Sequence, residues 1–292
     1  MIETTLIAVP NVSEGSDAAT LAAIGDAFSG AAGGRLLAPP HADADHGRAV
    51  FTLAAQPGSL APALLEGARA AVERIDLRRH AGSHPHVGAI DVVPVVHLDE
   101  ARRGAACAEA LVVADLLGHD LDLPILLYGE LGGGRTRAEL RRGGPDALAA
   151  RLASGELVPD FGPRRAHPSA GAVLVAARPP LVAFNVELAP PATLDDARRI
   201  AALIREGGAE GLPGLRAIGL ALPHRGGVAQ VSMNVEDHLR VPLGEAVAAI
   251  ARHAQPAEAE LVGLAPRAAF SGFPEGLRCR NRATIEDALA AP

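Results

Sequence analysis

Hydrophobic positions along this chain alternate between helical spacing and short apolar runs, which predicts an ordered series of helices and strands. In residues 17–28, Leu21, Ile24 and Phe28 fall on one helix face. Residues 60–75 form a second helical stripe, because their apolar side chains recur every three or four positions. Short runs rich in β-branched residues indicate strands at 4–9, 34–38, 48–55 and 89–96. The first half therefore predicts the order βαββαβ, which a helix near 99–118 and a short strand at 124–128 extend.

The second half of the chain repeats this order. A strand precedes a helix that begins near Thr193, where Asp196 three residues later completes a capping pattern. Two further strands around His224 predict a hairpin, and another helix and strand follow. The predicted elements are a strand at 181–186, the helix from Thr193, strands at 216–222 and 228–234, a helix at 243–254 and a strand at 259–264.

Two tandem units of the same order predict the fold class. We predict an α/β (α+β) fold of two ferredoxin-like βαββαβ lobes, with a ligand cleft or tunnel between them. The Pro-rich joint at Arg178 separates the lobes, which are residues 1–178 and 179–292. The stretch 129–172 is predicted to be rich in loops, and the residues after Phe270 receive no assignment.

The composition excludes several classes of function. With 49% hydrophobic residues in 292, the chain can bury a large core, and no apolar run is long enough to predict a membrane span. A net charge of −7 and 2% aromatic residues argue against nucleic acid as a partner. All 27 basic residues are arginine, so a catalytic lysine, a Schiff base and a P-loop lysine are excluded. Cys107 and Cys279 are too few for a disulfide framework, and no signal peptide is apparent, so we expect a cytoplasmic protein.

The segment with the clearest candidate chemistry lies between the second helix and the strand at 89–96. It places His80, His84 and His86 within seven residues. Imidazole titrates near neutral pH, so one of these side chains could accept and donate a proton. The same spacing could instead supply metal ligands, with a nearby aspartate as carboxylate partner, or belong to a polar loop that is purely structural.

Two other polar groups permit both a binding and a structural interpretation. Asp43, Asp45 and Arg48 could bind a cationic group beside an anionic one, or form a solvated turn. Strand 228–234 alternates cleanly, which places Gln230, Ser232 and Asn234 on one face. That face could donate hydrogen bonds to a ring or amide, or look at water.

Arginines in glycine-rich surroundings are candidates for carboxylate binding. A guanidinium can bind a carboxylate through two parallel hydrogen bonds. Exposed arginines are common, so this signal is weak by itself. The residues concerned are Arg141, Arg142, Arg164 and Arg165.

Several motifs, in order along the chain, resemble the formiminotransferase domain. That domain occurs in formimidoyltransferase-cyclodeaminases and in stand-alone bacterial glutamate formimidoyltransferases. The matching residues include Val9-Pro10-Asn11-Val12-Ser13-Glu14-Gly15, Asp43-x-Asp45-His46-x-Arg48, His80-x-Gly82-x-His84-Pro85-x-x-Gly88-Ala89-x-Asp91, Leu127-Tyr128-Gly129-Glu130, Pro159-Asp160-Phe161-Gly162-Pro163, Ala183-Phe184-Asn185-Val186-x-Leu188, Ala229-Gln230-Val231-Ser232-x-Asn234 and Leu261-Val262-Gly263-Leu264. Because these matches keep their order from residue 9 to about 264, chance is not a serious explanation.

The resemblance implies transfer of a formimino group from N-formimino-L-glutamate to N5 of tetrahydrofolate as co-substrate. It places the catalytic general acid/base on His84 and implies two lobes flanking a folate tunnel, in a homodimer. The folate-binding loop falls on Gly162, Pro163, Arg164, Arg165, Ala166, His167, Pro168, Ser169, Ala170 and Gly171. Candidate substrate-binding residues are Asn11, His41, Asp43, Asp45, Arg48, His86, Arg178, Gln230, Ser232 and Asn234. No metal is expected.

Some positions depart from the family pattern and define the alternatives. Ser83 and His86 stand where the family usually has glutamate and arginine, His41 stands where it has an acid, and Gly47 and Glu187 replace asparagines. The main alternative is a one-carbon transferase that moves formimino or formyl groups to or from another amine or amidine. A metal-dependent hydrolase and a non-catalytic folate-binding protein are the further alternatives.

Overall fold

The computed structural model describes residues 5–30 and 33–291. The chain forms two compact units, Met1–Pro179 and Pro180–Pro292, here called the N-terminal and C-terminal units. Each unit buries its own hydrophobic residues. The mixed α/β class with two tandem units is thus confirmed, while the ferredoxin-like detail stays a prediction.

The N-terminal unit contains nine short strands and five helices within its described residues. In chain order these are β1 Leu6–Ala8, β2 Asn11–Val12, α1 Ala18–Phe28, β3 Arg35–Leu36, β4 His41–Asp43, β5 Arg48–Val50, β6 Leu53–Ala55, α2 Leu60–Arg74, β7 Ile90–Val96, α3 Arg103–Asp120, β8 Ile125–Leu127, α4 Arg137–Arg141, α5 Gly144–Ser154 and β9 Val173–Arg178.

Strand β7 is the centre of the N-terminal sheet. All seven of its residues are buried, as expected for a strand that is paired on both edges. One edge pairs in parallel with β9, which continues to β8. The other edge pairs antiparallel with β1 and β2, which continue to β6–β3 and β5–β4. The N-terminal end of β7 therefore lies beside β2, and through β2 beside the β4–β5 hairpin.

Helix α1 begins where local sequence chemistry predicts. The Asp17 side chain accepts hydrogen bonds from the backbone N–H groups of Ala19 and Thr20, which would otherwise have no intrahelical partner. The predicted core face is also confirmed, because Leu21, Ile24 and Phe28 are buried. This helix is therefore specified by signals within its own segment.

Helix α2 is capped by a residue from another helix. Its own cap position, Ser59, makes no side-chain hydrogen bond. Glu109 of α3 instead accepts from the backbone N–H of Gly58 at 2.8 Å and of Ala61 at 2.7 Å. A carboxylate is favourable there because the N-terminus of a helix carries partial positive charge. This explains a buried glutamate in an otherwise apolar helix face.

Replacing Glu109 by alanine is expected to lower the free energy of unfolding by about 2–3 kcal/mol, because each hydrogen bond to a charged acceptor contributes about 1.5–3 kcal/mol. Water can replace the lost partner of exposed Gly58 but not that of buried Ala61. Urea unfolding followed by circular dichroism measures the change. The control is Asp115→Ala, an exposed carboxylate on the same helix, which should change stability by less than about 0.5 kcal/mol. Equal losses in the two variants would contradict the capping role.

The prediction that residues 129–172 are rich in loops is wrong in part, because the segment contains α4 and α5. Helix α4 begins with a capping box formed by Thr136 and Glu139. Helix α5 buries Leu148 and Leu152, which lie one turn apart. Both helices are short, so their apolar periodicity is weak in the sequence.

The C-terminal unit follows the predicted order of strands and helices. Its elements are β10 Val182–Leu188, α6 Leu194–Ile204, β11 Leu215–Leu222, β12 Val228–Val235, α7 Leu243–Ala251, β13 Pro256–Val262, β14 Cys279–Arg280 and α8 Ile285–Ala290. The sheet order is β11-β12-β10-β13-β14. The predicted capping box of Thr193 and Asp196 and the predicted β11–β12 hairpin are confirmed. The tail, which received no assignment from the sequence, adds β14 in parallel to β13.

Alternate residues of β10 and β12 separate an apolar from a polar face. Phe184, Val186 and Val231 are buried in the core with α6 and α7. The opposite face carries Glu187 directly across from Gln230. Within the described part of the chain, no helix is both long and apolar enough to cross a membrane.

Candidate active site

Two backbone segments of the N-terminal unit cross in close contact, and this crossing positions His84. The turn between β4 and β5 lies against the loop that carries the histidines. The backbone carbonyl of Asp45 in this turn accepts hydrogen bonds from the N–H and the hydroxyl of Ser83. The backbone carbonyl of His46 accepts from the N–H of His84. Because these bonds fix the backbone, the His84 side chain is placed beside the start of β5.

Glycines permit this crossing. Gly47 has φ +63°, and a Cβ there would lie 2.7 Å from the Cα of Gly82 and 2.8 Å from the His80 ring. A Cβ at Gly82 would lie 2.5 Å from the His46 carbonyl oxygen. Asparagine tolerates a positive φ better than other non-glycine residues, but a side chain at position 47 would have to displace His80. The departure from the family pattern at Gly47 therefore has a steric reason.

A buried ion pair fixes the other end of the histidine loop. The Asp91 carboxylate accepts from the backbone N–H of Val87 at 2.7 Å and binds the guanidinium of Arg141. The side chains are 3% exposed for Asp91 and 12% for Arg141. The loop is thus held at one end by the β4–β5 turn and at the other by the first residues of β7.

His84 interacts directly with Arg48. The Arg48 Nη1 atom lies 2.6 Å from His84 Nε2. A guanidinium has only donors, so Nε2 must accept and the imidazole is neutral with its proton on Nδ1. Burial lowers the pKa of His84 well below its usual range, and the charges of Arg48 and Arg141 lower it further. His84 is therefore an unprotonated imidazole at neutral pH.

The Arg48 guanidinium is affected by the same crowding of positive charge. Burial lowers the pKa of Arg48 to about 10, and the charge of Arg141 adds to the effect. Arg48 still carries its proton at neutral pH, so it remains a donor to His84 and a source of positive potential in the site.

The three other histidines near His84, which are His46, His80 and His86, have structural partners. His46 Nδ1 lies 2.8 Å from a carboxylate oxygen of Asp43, which also accepts from the His46 backbone N–H at 2.9 Å. Burial opposes ionisation of Asp43, but the hydrogen bonds from His46 outweigh it and bring the pKa of Asp43 to about 2. The rings of His80 and His86 pack edge to face with centroids 4.2 Å apart. Burial lowers the pKa of His80, and the nearby His86 lowers it further.

These residues line a narrow cleft, whose space of about 170 Å³ includes open solvent and leaves no enclosed room for a water molecule. It is lined by Ser13, His46, Gly47, Arg48, His80, His84, His86 and Asp91. A neutral imidazole beside guanidinium groups can accept a proton and return it while an anionic group is held nearby. Among the described residues, no three histidine, cysteine, aspartate or glutamate side chains are arranged to bind a metal ion.

The predicted folate-binding loop meets the histidine loop through backbone hydrogen bonds. The carbonyl of Ser169 accepts from Leu77 N–H, and that of Ala170 accepts from Ala89 N–H at 2.9 Å. Gly171 forms a bridge with Gly88. His167 Nδ1 accepts from the N–H groups of Ser169 and Ala170, which closes this end of the loop. At the other end Arg164 and Arg165 are exposed.

The structure brings some predicted substrate residues to this site and leaves others elsewhere. Asp43, Arg48 and His86 lie at the cleft or in direct contact with its lining. Asp45 is in the turn that crosses the histidine loop, and its carbonyl binds Ser83. Arg178 is paired with Val96 at the far end of β7, which is about 17 Å from Asp91 at the strand rise of about 3.3 Å per residue.

Asn11 and His41 lie on neighbouring strands of the same sheet. Asn11 is on β2, opposite Val92 of β7 and Val50 of β5, and its side chain donates to the Val9 carbonyl at 3.0 Å. His41 is on β4 and contributes to lowering the pKa of Asp43. Asn11 is therefore on the strand next to β7, and His41 is on the third strand from it.

The remaining predicted substrate residues belong to the C-terminal unit. Gln230 is fully buried, and neither its amide oxygen nor its amide nitrogen has a hydrogen-bond partner among the described residues. Ser232 and Asn234 follow on the same face of β12. Opposite Gln230, Glu187 binds the guanidinium groups of Arg225 and Arg280. The negative charge of Glu187, a position that departs from the family pattern, is therefore neutralised by arginines of the same unit.

The sequence indicated Arg141 only as one of four candidate carboxylate-binding arginines and Asp91 only as part of a family motif, whereas the structure pairs them with each other near His84. Their pairing spans fifty positions, so no local pattern reveals it. The Thr136-x-x-Glu139 capping box does mark the start of the helix that ends at Arg141, but it does not indicate what this residue contacts.

Comparisons with known proteins show the family to which this chain belongs. Residues 5–178 match the formiminotransferase domain, N-terminal subdomain, and residues 183–272 match the formiminotransferase domain. A glutamate formimidoyltransferase from Streptococcus pyogenes serotype M1 is 34% identical over 270 residues, which cover 90% of this chain and 89% of that protein. One from Thermoplasma acidophilum is 30% identical, with 92% of this chain and 93% of that protein covered. The formimidoyltransferase-cyclodeaminase of Rattus norvegicus is 36% identical over 88% of this chain, which spans 49% of that longer protein.

Proposed function

This chain belongs to the formiminotransferase family, and we propose that it transfers a formimino group from N-formimino-L-glutamate to N5 of tetrahydrofolate. His84 is the residue that moves the proton. The observation that carries the proposal is the neutral His84 imidazole at a cleft, hydrogen-bonded to Arg48. The relatives named glutamate formimidoyltransferase support the choice of donor.

The reaction requires one proton to move from N5 of tetrahydrofolate to the nitrogen of the departing glutamate. N5 of tetrahydrofolate attacks the amidine carbon, and a C–N5 bond forms in a tetrahedral intermediate. His84 accepts the proton that N5 loses and delivers it to the nitrogen of the departing glutamate as the old C–N bond breaks. The products are 5-formimino-tetrahydrofolate and glutamate, with no net change in protons or electrons.

The low pKa of His84 suits both halves of this transfer. Burial and nearby positive charges keep the imidazole unprotonated at neutral pH, so it is available as a base. Once protonated, the imidazolium beside Arg48 is a strong acid, which favours donation to the leaving nitrogen. The same electrostatic environment therefore serves both steps.

The loop from Gly162 to Gly171 is proposed to bind the folate. Its end is hydrogen-bonded to the segments on both sides of His84, so a bound folate would be held in register with the imidazole. The exposed arginines Arg164 and Arg165 provide positive charge for the carboxylates of a folate glutamate tail. Arg165 binds Asp122 across an exposed ion pair, which a folate carboxylate could replace.

The first experiment mixes the purified protein with tetrahydrofolate and N-formimino-L-glutamate, then acidifies and monitors methenyl-tetrahydrofolate absorbance. We expect a signal that depends on both substrates. Absence of signal with tetrahydrofolate still bound would contradict the proposed donor. It would favour the second candidate, a one-carbon transferase acting on another amine or amidine, which the altered residues His86 and Glu187 motivate.

Replacing Arg48 by glutamine is expected to move the acid limb of the kcat/KM profile to higher pH. In the wild type this limb lies below about pH 6.5, the usual pKa of histidine, because the pKa of His84 is lowered. Glutamine keeps an N–H donor but removes the charge, so the pKa of His84 rises. The measurements are the pH profile and an NMR titration of the His84 ring. Arg142→Gln, which removes an exposed charge one residue beyond α4, should leave both unchanged; an unshifted limb in Arg48→Gln would refute the electrostatic role.

We also propose a cytoplasmic homodimer that acts in histidine degradation, where formiminoglutamate is consumed. The support for this context is the family membership and the two free cysteines, Cys107 and Cys279. Light scattering of the purified protein tests the dimer, and a mass equal to one chain would contradict it.

A further inference from the structure

Positive charge exceeds negative charge beside His84. Arg48 donates to His84 directly. Arg141 binds Asp91, which lines the cleft with His84, and Arg137 lies one turn before Arg141 on the same face of α4. All three positive charges contribute to the lowered pKa of His84, after its burial. Of the two nearby carboxylates, Asp91 binds Arg141 and Asp43 binds His46. Two guanidinium groups therefore remain without a carboxylate of their own among the described residues.

The contacts of these two arginines leave hydrogen-bond donors available. Arg48 donates to His84 through Nη1. Arg137 is partly buried and lies 5.8 Å from the centre of the Tyr128 ring, and the described residues include no acid that pairs with it. An aromatic ring holds the guanidinium in place without using its N–H groups. A guanidinium that has no acid partner and lies one helical turn from the Arg141–Asp91 pair can bind an anion at this site.

We propose that Arg48 and Arg137 bind the α-carboxylate of the formimino donor, while Arg141, held by Asp91, forms the adjoining wall of this site. The inference rests on the proposed function. The ligand class is an N-acyl or N-imidoyl α-amino acid, and the site determines specificity for donors that carry a carboxylate on the carbon next to the reacting nitrogen.

Bond connectivity favours the donor's α-carboxylate over other carboxylates. In formiminoglutamate only three bonds separate the amidine carbon from the α-carboxylate carbon, so this group must lie close to His84 during transfer. The γ-carboxylate is five bonds away. The carboxylates of the folate tail are separated from N5 by the whole p-aminobenzoyl group, which places them outside the immediate surroundings of the imidazole.

Binding at this site also frees the catalytic nitrogen. In the unliganded protein Nε2 of His84 accepts from Arg48 and cannot accept a proton at the same time. A carboxylate is a stronger partner for a guanidinium than a neutral imidazole. As the donor binds, Arg48 turns to the carboxylate, Nε2 is released, and the base becomes active only when substrate is present.

The test uses calorimetry to compare the binding of two probes to the full chain. Both probes carry a neutral formamide in place of the donor's amidine. N-formyl-L-glutamate keeps the α-carboxylate, and 4-formamidobutyrate lacks it but keeps the distal one. We expect Arg137→Ala to bind N-formyl-L-glutamate at least about tenfold more weakly than the wild type, and to bind 4-formamidobutyrate with unchanged affinity. The matched control is Arg142→Ala, which removes an exposed arginine paired with Glu156 and should bind both probes as the wild type does.

Several outcomes would overturn the inference. These are no binding of N-formyl-L-glutamate by the wild type, unchanged binding in Arg137→Ala, or equal losses for both probes. A rise in KM for tetrahydrofolate in Arg137→Ala that disappears with tetrahydropteroate would assign the arginine to the folate tail instead. If both probes bind with equal affinity while formiminoglutamate is turned over normally, only the proposed carboxylate site is contradicted. If N-formyl-L-glutamate binds selectively but formiminoglutamate is not turned over, only the proposed function is contradicted.

Discussion

Replacing His84 by alanine is expected to lower kcat at least about 10²-fold, because a positioned proton-transfer residue contributes about 10²–10⁴-fold in rate. His84 is the imidazole whose Nε2 binds Arg48 and whose pKa is lowered by burial and, further, by the surrounding positive charges. Its side chain is outside the hydrophobic clusters of the described residues, so the variant should remain folded. The KM for the donor should change far less than kcat, since alanine leaves Arg48 and Arg137 in place.

The measurement is the formation of methenyl-tetrahydrofolate after acidification, with thermal unfolding as the test of folding. The matched control is His119→Ala, which removes an exposed histidine that pairs with Asp120 at the end of α3. This control should retain wild-type turnover. If His84→Ala kept more than about a tenth of wild-type kcat, the proton would have to move by another route, contrary to the usual size of such effects.

Replacing Asp91 by alanine is expected to lower the free energy of unfolding by about 3–5 kcal/mol, as is typical when one partner of a buried ion pair is removed. The change leaves the Arg141 guanidinium buried without its carboxylate. It also leaves the Val87 N–H without its acceptor. Both losses fall at the point where the histidine loop joins β7, so the variant should also lose activity through misplacement of His84.

Chemical denaturation of the N-terminal unit measures this effect. The matched control is Glu156→Ala, which breaks the exposed pair with Arg142 and should cost less than about 1 kcal/mol. A second variant, Asp91→Ala with Arg141→Met, removes both charges and should recover part of the lost stability. Equal stability of the Asp91→Ala and Glu156→Ala variants would contradict the view that this pair anchors the loop.

Several elements of the fold were predictable because their signals lie within a few residues. Helix α1 has its cap at Asp17 and its core residues at helical spacing, and α6 has the capping box of Thr193 and Asp196. The β11–β12 hairpin follows from two alternating strands on either side of a glycine turn. The sequence prediction missed α4 and α5, whose apolar periodicity is weak because these helices are short, and it made no assignment for the tail that forms β14.

The sequence by itself determined the class of the fold, its two-unit order, the family through its ordered motifs, and His84 as the candidate base. Only the tertiary structure decided what surrounds that base. Arg48 reaches His84 from 36 positions away, and Arg141 reaches Asp91 from fifty positions away. Capping and periodicity act over one or two turns of chain, whereas these contacts depend on which strands pair and on where Gly47 and Gly82 let two backbones cross. The charge balance that holds His84 neutral is therefore a property of packing, which no local pattern records.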